Sequence, residues 1–553
     1  MKILKDNLSK IWLTVIIVLA FILRFYKLDS YPTINADEAA VGYNAYSLIQ
    51  TGMDEHGNFW PIHFQSFNDY KPGLYFYLVL PFVKVLGLNG WAVRIPGAFL
   101  GAMTVLIVYF LVKELFSDEN VRIKFYGLGF AEIAALMLAI SPWHLHFSRG
   151  GWEVNAATFF ITLGFWLFLK AGNNSKYYVL SISSFVISFY TYHAARVVVP
   201  LLGISLICFQ WKRIRNNFKW FLVAGILSII LFLPLVRDLA KGSVFSRAAG
   251  VGLFTDPGPL NRINEQRGEH ANYQGIIPKI IHNKAVNYGL AFLSNWSRHF
   301  YGEFLFLSGD EIQRDKVPET GEMYYLDFIW LIIGLCAIIK NAKNWAPILF
   351  WLIVAPIAAA LTFQAPHAIR ANNMVIPLVI ISAYGLLNTL YWFKKQKMFI
   401  SLITYSLLFI VIIWLFASYE HEYWIHMAKE YPYSSQYGMN ELVNFIKENQ
   451  SNYKKIIVTD SYDQPYILFL FYLKYPPKKF QEGHVLTEKD KFGFSTVKNF
   501  DKYYFEPIKF DEIRPGNPNS LIIGADKDIP KEANIVKKIH FPNGKIAFKI
   551  VAN

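Results

Sequence analysis

The sequence predicts a polytopic α-helical membrane protein that is followed by a soluble α/β domain. Of its 553 residues, 54% are hydrophobic and 17% are charged, against about 25% charged in an ordinary soluble protein. Residues 418–553 carry 19 Lys/Arg and 17 Asp/Glu, a much higher density of charge than in residues 1–417. This change predicts a boundary near Ser418, between a transmembrane domain at 1–417 and an extracytoplasmic α/β domain at 418–553.

Eleven runs are apolar enough to be spanning helices, for which about 20 residues are needed. They lie at 11–28, 93–116, 125–147, 155–171, 178–193, 195–211, 220–236, 325–340, 345–363, 372–392 and 398–417. The long segments 29–92 and 237–324 are predicted to be outer loops that contain short surface helices. One such helix is expected at 37–51, where Asn35 or Asp37 can cap its start and Gly52 can end it.

Lys and Arg are concentrated on one side of the predicted membrane domain. With the N-terminus in the cytoplasm, the cytoplasmic segments hold 17 basic and four acidic residues, and the outer segments of this domain hold 18 of each. Because short cytoplasmic loops are enriched in Lys and Arg, this asymmetry predicts a cytoplasmic N-terminus and, with an odd number of spans, a C-terminal domain outside. The net charge of +14 therefore indicates membrane topology and not a nucleic-acid partner.

Local patterns in the tail predict its α/β character. The expected elements are a helix at 439–449, a strand at 454–459, a helix at 464–474, a strand at 520–525 and a final hairpin around Asn543-Gly544, since an Asn-Gly pair between two apolar runs is a strong hairpin signal.

Two adjacent carboxylates, Asp37 and Glu38, follow the first predicted span at the outer face. Carboxylates at a membrane boundary are costly to desolvate, and such a pair can act as a general base or hold a metal. The alternative is a simple preference for acidic residues at a helix N-terminus.

Several cations are expected at the same outer depth. Lys71 precedes a Pro-Gly turn, and Arg149, Arg196 and Arg370 lie in outer links between spans. An ammonium or guanidinium group can contact a phosphate. Each side chain alone could equally be an interfacial anchor, and Arg149 could pair with Glu153, but together the four cations could converge on one anionic headgroup.

The order of these motifs resembles that of the GT-C membrane glycosyltransferases, in the protein O-mannosyltransferase and aminoarabinose-transferase-like group. The resemblance covers about residues 10–395. The motifs are, in order, Asp37-Glu38, Lys71-Pro72-Gly73-Leu74-Tyr75, Arg94-Ile95-Pro96 through Gly101-Ala102, Ser141-Pro142, Ser148-Arg149 with Glu153, and Pro366-His367 before Arg370. Gly73 stands where the family often has a second proline, which puts the rigidity of this loop in question.

The resemblance implies a glycosyltransferase with a polyprenyl-phosphate sugar donor, inversion at the anomeric carbon and transfer at the outer face. Asp37 matches the family's essential loop carboxylate and is the expected general base, supported by Glu38, and Glu153 matches a further catalytic acid. Lys71 is expected to bind the donor phosphate, together with Arg149 and Arg370 as weaker matches. Arg196 joins this group because of its depth, and Tyr70 and His367 are expected to contact substrate.

The acceptor could be a protein, a lipid or an envelope glycan, in a bacterial or archaeal plasma membrane. No metal-ligand spacing is recognisable among the histidines, so we assign no metal ligand and leave dependence on a divalent cation open. The alternative function is a transporter or flippase of a lipid-linked intermediate. A flippase should carry ionisable residues midway along its spans, whereas here they gather at the outer boundary, with Glu132 as the main exception.

Overall fold

The computed structural model describes residues 2–67, 69–116, 128–240, 250–340, 344–489 and 495–553. The chain divides into two compact units. The first, here called the helical unit, comprises Met1–Arg24, Phe99–Ser148 and Glu153–Tyr419. The second, the mixed unit, comprises Phe25–Ala98, Arg149–Trp152 and Glu420–Asn553. The boundary near Ser418 stays a prediction, since the unit that holds the tail also holds most of the predicted outer loop 29–92.

The helical unit is built from apolar α-helices joined by short turns. Its α-helices, three of which extend into the other unit's sequence, are Lys2–Phe25, Gly90–Leu115, Phe130–Ala139, Pro142–Ser148, Glu153–Lys170, Tyr177–Phe189, Ala195–Asn216, Phe218–Leu239, Gly258–Gly268, Ile276–Ile281, Lys284–Arg298, Tyr325–Lys340, Ala346–Val354, Ile357–Ala360, Val375–Lys394 and Met398–His421. Short 3-10 turns lie at Leu253–Thr255, Gln313–Asp315 and Asn372–Met374, and a π-helical turn lies at Glu303–Leu307.

Six helices in the described part of the chain are long and apolar enough to cross a membrane: Leu8–Phe25, Gly90–Leu115, Ala195–Asn216, Phe218–Leu239, Asn372–Lys394 and Met398–Glu430. A seventh span results if the pair Phe130–Ala139 and Pro142–Ser148, bent by 56°, is counted as one. The predicted runs 155–171, 178–193, 325–340 and 345–363 also form helices, but these do not meet the same criteria of length and hydropathy. The count of eleven stays a prediction, and residues 125–127 of the run 125–147 lie outside the described residues.

The bend in the helix pair has a local cause. Pro142 starts the second helix and has no N–H to continue the first one. The Nη1 atom of the buried Arg24 donates to the carbonyl oxygen of Ala139 at 3.1 Å, and its Nη2 atom lies 2.8 Å from Nδ1 of His144. A guanidinium thus satisfies a carbonyl oxygen that the end of the first helix leaves without an intrahelical partner.

Two helices of the helical unit, Tyr325–Lys340 and Val375–Lys394, pack through a glycine. A Cβ atom at Gly385 would lie 1.8 Å from the carbonyl oxygen of Trp330, so only glycine permits this approach. Small residues allow such close packing of apolar helices, where dispersion forces replace the hydrophobic effect as the main attraction.

The mixed unit combines short helices with two sheets. Its α-helices are Ala36–Thr51, Leu74–Leu86, Met427–Glu430, Met439–Asn449, Pro465–Leu473, Pro477–Gly483 and Phe510–Gly516, with a π-helical turn at Glu422–His426 and a 3-10 turn at Gln450–Asn452. A hairpin pairs β1 (His63–Ser66) with β2 (Asp69–Pro72). The remaining strands are β3 (Lys455–Val458), β4 (Val485–Leu486), β5 (Val497–Phe500), β6 (Tyr503–Phe505), β7 (Ser520–Gly524), β8 (Ile535–His540) and β9 (Ile546–Ala552).

These seven strands of the described tail form one sheet in the order β4-β5-β6-β3-β7-β9-β8. The central strand β3 is parallel to β6 and β7, and the outer pairs are antiparallel. Buried apolar side chains from β3, β7 and β9 pack with Ile508, Phe510 and Ile529 on one face. The two helices, the two strands and the final hairpin predicted for the tail are all confirmed.

Candidate functional site

The helix Ala36–Thr51 carries the two predicted carboxylates in its first turn. Its N-cap is Asn35, whose side chain accepts a hydrogen bond from the backbone N–H of Glu38 at 3.0 Å. The Glu38 carboxylate in turn accepts one from the Asn35 backbone N–H at 3.2 Å. This reciprocal capping box confirms the predicted start of the helix. At its other end, Gly52 adopts a left-handed conformation and closes the helix.

Every acceptor position of the Glu38 carboxylate is occupied. Oε1 accepts from Nε of Arg94 at 2.6 Å and from the backbone N–H of Gly151 at 2.8 Å. Oε2 accepts from Nη2 of Arg94 at 2.7 Å, in addition to the capping bond from Asn35. Since a carboxylate offers about four acceptor sites and Glu38 is 1% exposed, its contacts indicate a role in positioning the helix.

The guanidinium of Arg94 is fully used as well. Besides its two bonds to Glu38, Nη1 donates to the carbonyl oxygens of Leu28 and Pro32 at 2.9 and 2.8 Å, and Nη2 donates to that of Thr33 at 3.1 Å. These contacts employ all five N–H donors of an arginine. Arg94 is completely buried and so connects the loop before the helix to the first turn of the helix.

Asp37 occupies a different position from its neighbour. Its side chain is 20% exposed and forms an ion pair with Nζ of Lys71. Lys71 lies on β2 opposite Phe64 of β1, and its ammonium stands 5.0 Å from the ring centroid of Phe67. The structure therefore brings together the predicted base and the predicted phosphate-binding lysine. Tyr70, also a predicted substrate contact, is half-buried on the same strand, opposite Gln65.

The loop that follows Lys71 depends on a glycine rather than on a second proline. The backbone N–H of Gly73 donates to the carbonyl oxygen of Ile62 at 2.9 Å, a bond that proline could not make. A Cβ atom at this position would lie 2.7 Å from the same oxygen. Where the family often has a second proline, whose ring would make the loop rigid, this chain has a glycine whose backbone hydrogen bond holds the loop.

Arg149 is buried among aromatic side chains of the mixed unit. Its guanidinium carbon lies 5.3 and 4.7 Å from the ring centroids of Tyr423 and Trp424. Nε donates to the hydroxyl oxygen of Tyr423 at 3.1 Å, and Nη2 donates to the carbonyl oxygen of Tyr26 at 2.7 Å. This stacking and hydrogen bonding join Arg149 to the segment after the first helix, at Tyr26, and to the start of the C-terminal tail, at Tyr423 and Trp424.

A second buried carboxyl group, that of Glu55, lies in the loop after the helix Ala36–Thr51. Glu55 is 0% exposed, and its Oε1 atom accepts from the hydroxyl of Tyr466 at 3.3 Å and lies 3.5 Å from Nε2 of His56. Burial and then the neighbouring Asp54 raise the pKa of Glu55 to about 8. Burial lowers the pKa of His56 to about 3. At neutral pH this is a protonated carboxyl group beside a neutral imidazole.

The other predicted site residues belong to the helical unit. Nη1 of Arg370 donates to the hydroxyl of Thr362 at 2.7 Å. Nη1 of Arg196 lies 3.1 Å from Nδ1 of His193. Glu153 begins the helix Glu153–Lys170 and is half-buried. His367 lies beside Asp310 and Asp315, a set that could hold a metal ion.

Sequence reasoning identified neither the contacts of Arg94 and Gly151 with Glu38 nor the buried carboxyl group of Glu55. In the sequence, Arg94 belongs to a motif that begins a predicted span. An arginine at the start of an apolar helix is itself a sign of a specific partner. No local pattern distinguishes Gly151 or Glu55, because their roles depend on residues far away in the chain.

The class of protein follows from this architecture. Apolar helices of spanning length, a carboxylate–lysine pair and a C-terminal mixed sheet are combined in a fold that resembles the GT-C membrane glycosyltransferases. The chain matches the crystal structure of ArnT from Cupriavidus metallidurans bound to undecaprenyl phosphate with a TM-score of 0.53, at 10% identity and over 98% of both chains. It also matches an Archaeoglobus fulgidus oligosaccharyltransferase in complex with Zn and sulfate, with a TM-score of 0.50, at 14% identity, over 83% of this chain and 61% of that one.

Sequence comparisons point to the same superfamily. Residues 70–237 match the family described as dolichyl-phosphate-mannose-protein mannosyltransferase. Two putative mannosyltransferases of Bacillus subtilis (strain 168) are similar to parts of the chain: YkcB is 25% identical over 186 residues, and YycA is 30% identical over 106 residues. The matched stretches span 33% and 19% of this chain, and 24% and 14% of the relatives' own lengths. The resemblance to GT-C enzymes predicted from the motifs is confirmed, and the chain is an integral membrane protein.

Replacing Arg94 by methionine should strongly destabilise the protein. The Glu38 charge would then be buried without its partner, which typically costs about 3–5 kcal/mol. Arg94→Lys should recover only part of this loss, since lysine has three donors where arginine uses five. Thermal unfolding of the detergent-solubilised protein measures the effect. Arg298→Met, which breaks an exposed pair with Glu311, is the matched control and should cost less than about 1 kcal/mol; equal effects would contradict the role given to Arg94.

The raised pKa of Glu55 predicts a dependence of stability on pH. The usual pKa of a glutamate is 4.5, and that of Glu55 in the folded protein is about 8. The folded state therefore holds a proton that the unfolded chain has released, and stability falls as pH rises towards 8, by up to about 1.4 kcal/mol per pH unit. Below about pH 6.5, His56 acts in the opposite direction, because its lowered pKa makes the unfolded chain the better proton acceptor.

The variant Glu55→Gln should flatten this dependence, since an amide stays neutral at every pH. We expect the unfolding temperature of the unmodified protein to fall between pH 6.5 and 8, and that of Glu55→Gln to fall less. Glu482→Gln, at an exposed position, should keep the slope of the unmodified protein. Identical slopes for Glu55→Gln and the unmodified protein would show that Glu55 titrates normally.

Proposed function

We propose that the chain is an inverting glycosyltransferase that moves a sugar from a polyprenyl-phosphate donor to an acceptor at the outer face of the membrane. The observation that carries the proposal is the different environment of the two adjacent carboxylates. Glu38 is buried with all its acceptor positions occupied, whereas Asp37 is partly exposed and paired with Lys71. Only the second arrangement presents a carboxylate and a cation together to a substrate.

In the proposed reaction, Asp37 accepts the proton of an acceptor hydroxyl group. The acceptor oxygen then forms a bond to the anomeric carbon while the bond from that carbon to the phosphate oxygen breaks, with inversion. Polyprenyl phosphate leaves with the electron pair, and its added charge is stabilised by Lys71. Since a sugar has to lie between base and leaving group, donor binding should draw the ammonium of Lys71 from the carboxylate of Asp37 towards the phosphate.

The remaining site residues have supporting roles in this proposal. Arg370 and Arg196 of the helical unit would contribute to donor-phosphate binding, and Glu153 would act as a further acid. Tyr70 would contact substrate, whereas the burial of His367 beside Asp310 and Asp315 favours a role away from the substrate. The contacts of Arg149 with Tyr423, Trp424 and Tyr26 favour a positioning role over direct phosphate binding.

The proposed side of action is the outer face. It rests on the excess of 17 basic over four acidic residues in the predicted cytoplasmic segments. The donor class is supported by the ArnT structure, which holds undecaprenyl phosphate, and by the matched mannosyltransferase family. A mannosyl donor is therefore the first probe to use, although other hexosyl or pentosyl donors fit the same chemistry.

Asp37→Asn should abolish transfer but leave folding and membrane insertion intact, because an amide cannot accept the acceptor's proton. Membranes that contain the protein are supplied with synthetic polyprenyl-phosphate mannose, and release of polyprenyl phosphate is measured. Asp29→Asn changes an exposed carboxylate in the same loop and should retain full activity. Full activity of a properly inserted Asp37→Asn variant would exclude Asp37 as the base. Movement of intact donor between leaflets with no release in any variant would favour a flippase.

Lys71→Ala should weaken use of the donor. Loss of a charge-assisted hydrogen bond of about 1.5–3 kcal/mol corresponds to an increase in the donor KM of roughly tenfold or more. Lys71→Arg keeps the charge and should recover part of the donor affinity. The donor dependence of polyprenyl phosphate release measures both variants, and an unchanged donor KM in Lys71→Ala would contradict the assignment.

A further inference from the structure

Three buried side chains of the helical unit meet at a place that the proposed transfer does not use. Asp310 and Asp315 lie in the segment between the π-helical turn Glu303–Leu307 and the helix Tyr325–Lys340, and His367 lies shortly before Asn372. Their exposed fractions are 1%, 0% and 6%. The three residues come from two segments more than fifty positions apart in the chain, so folding alone assembles this set.

The spacing of the three side chains suits a shared metal ion. Nδ1 of His367 lies 3.4 Å from Oδ2 of Asp310 and 3.8 Å from Oδ2 of Asp315, and the three ligand atoms all lie within 4.8 Å of one another. Ligand atoms held about 2.1 Å from one ion are about 3.0 Å apart in octahedral and about 3.4 Å apart in tetrahedral geometry. A small contraction would therefore place all three atoms around a single ion.

The imidazole of His367 is aimed into this cluster, and its Nδ1 atom faces Asp310 at 3.4 Å without the geometry of a hydrogen bond. Among the described residues, its Nδ1 atom has no hydrogen-bond partner, and its side chain is 93% buried, with an exposed fraction of 7%. A buried polar atom without a partner is costly. The nitrogen of a neutral imidazole is also the most common metal ligand in proteins.

The surrounding hydrogen bonds orient the Asp310 carboxylate, as contacts outside a metal site usually do for its ligands, and hold the backbone of His367. The carboxylate of Asp310 accepts from the backbone N–H groups of Ile312 and Ala368 at 2.9 and 2.5 Å. The backbone N–H of His367 donates to Nε2 of His299 at 3.2 Å, and Nδ1 of His299 donates to the carbonyl oxygen of Asn295 at 2.8 Å.

Arg314 forms an ion pair with one of the two carboxylates, that of Asp315. Nε of Arg314 lies 3.6 Å from Oδ1 of Asp315, and the Arg314 side chain is 36% exposed. The oxygen of Asp315 that faces His367 is the other one, Oδ2. The buried carboxyl group of Glu322 adds a further acidic group, since its Oε1 atom accepts from the backbone N–H of Asp310 at 3.3 Å. Charges inside a protein are strongly unfavourable unless they are paired, and a divalent cation bound here would stabilise the buried carboxylates.

We propose that Asp310, Asp315 and His367 bind one divalent transition-metal ion, which connects the loop 310–315 to the segment 366–370. One imidazole and two carboxylates suit Mn²⁺ and Zn²⁺. The ion holds the segment that carries Arg370 and takes no part in proton transfer. The proposal is independent of the transfer reaction, because the site is assembled by residues outside the Asp37–Lys71 pair.

The test measures metal binding in the detergent-solubilised full chain. The protein is stripped with EDTA and titrated separately with Mn²⁺ and Zn²⁺, and bound metal is determined by mass spectrometry together with the unfolding temperature. We expect about one ion per chain and a rise in unfolding temperature for one of the two metals. Asp315→Asn should weaken binding about tenfold or more and remove the rise.

The matched control is a second candidate group, Glu422, His426 and Glu430, whose side chains are more exposed. His426→Ala should leave the metal content unchanged; loss of the ion in this variant would assign it to that group and overturn the proposal. If Asp315→Asn does not fold, X-ray absorption of the unmodified, metal-loaded protein decides. A nitrogen and oxygen shell with one imidazole supports the site. Sulfur ligands, or no retained ion, would overturn it and leave Arg314 as the counterion of Asp315.

Discussion

The pair formed by Glu38 and Arg94 is the interaction on which the mixed unit depends. Five arginine donors and four carboxylate acceptor positions are all occupied inside the protein. A buried pair of this kind is not in itself strong evidence of stability, because desolvation offsets the attraction. Its value lies in geometry, since it fixes the first loop, the start of the helix and Gly151 relative to one another. Removing either charged side chain leaves the other one buried without its partner.

The C-terminal tail contributes to the same geometry, which argues against a simple appended domain. The side-chain oxygen of Gln436 accepts from the backbone N–H of Ala36 at 2.6 Å, directly before Asp37. Tyr43 of the same helix donates to the carbonyl oxygen of Tyr475 at 3.0 Å, and Tyr423 contacts Arg149. An acceptor-docking role for the tail and a structural role were both open from the sequence. These contacts support a structural contribution, because they hold the backbone that carries the proposed base.

Elements with strong local signals could be predicted from the sequence. The helix after Asn35 and the hairpin at Asn543-Gly544 are confirmed, since capping and turn residues act over a few positions. The motif order also indicated that Asp37 and Lys71 belong to one site. The partner of Glu38 could not be predicted, because Arg94 is 56 positions away and a span-opening arginine has many possible partners. Asp310, Asp315 and His367 have no recognisable spacing either, since their proximity arises only from tertiary folding.

The division of roles between Asp37 and Glu38 follows from helix geometry. Successive residues of an α-helix point about 100° apart, so two neighbouring carboxylates cannot face the same partner. One therefore meets the buried Arg94 and the other the Lys71 side of the helix. A one-residue shift of the helix start would move Asp37 into the buried position of Glu38. The capping box of Asn35 and Glu38 prevents such a shift, because it ties the register of the first turn to the residue that also pairs with Arg94. The same glutamate thus determines both where the helix begins and which of the two acids remains accessible to a substrate.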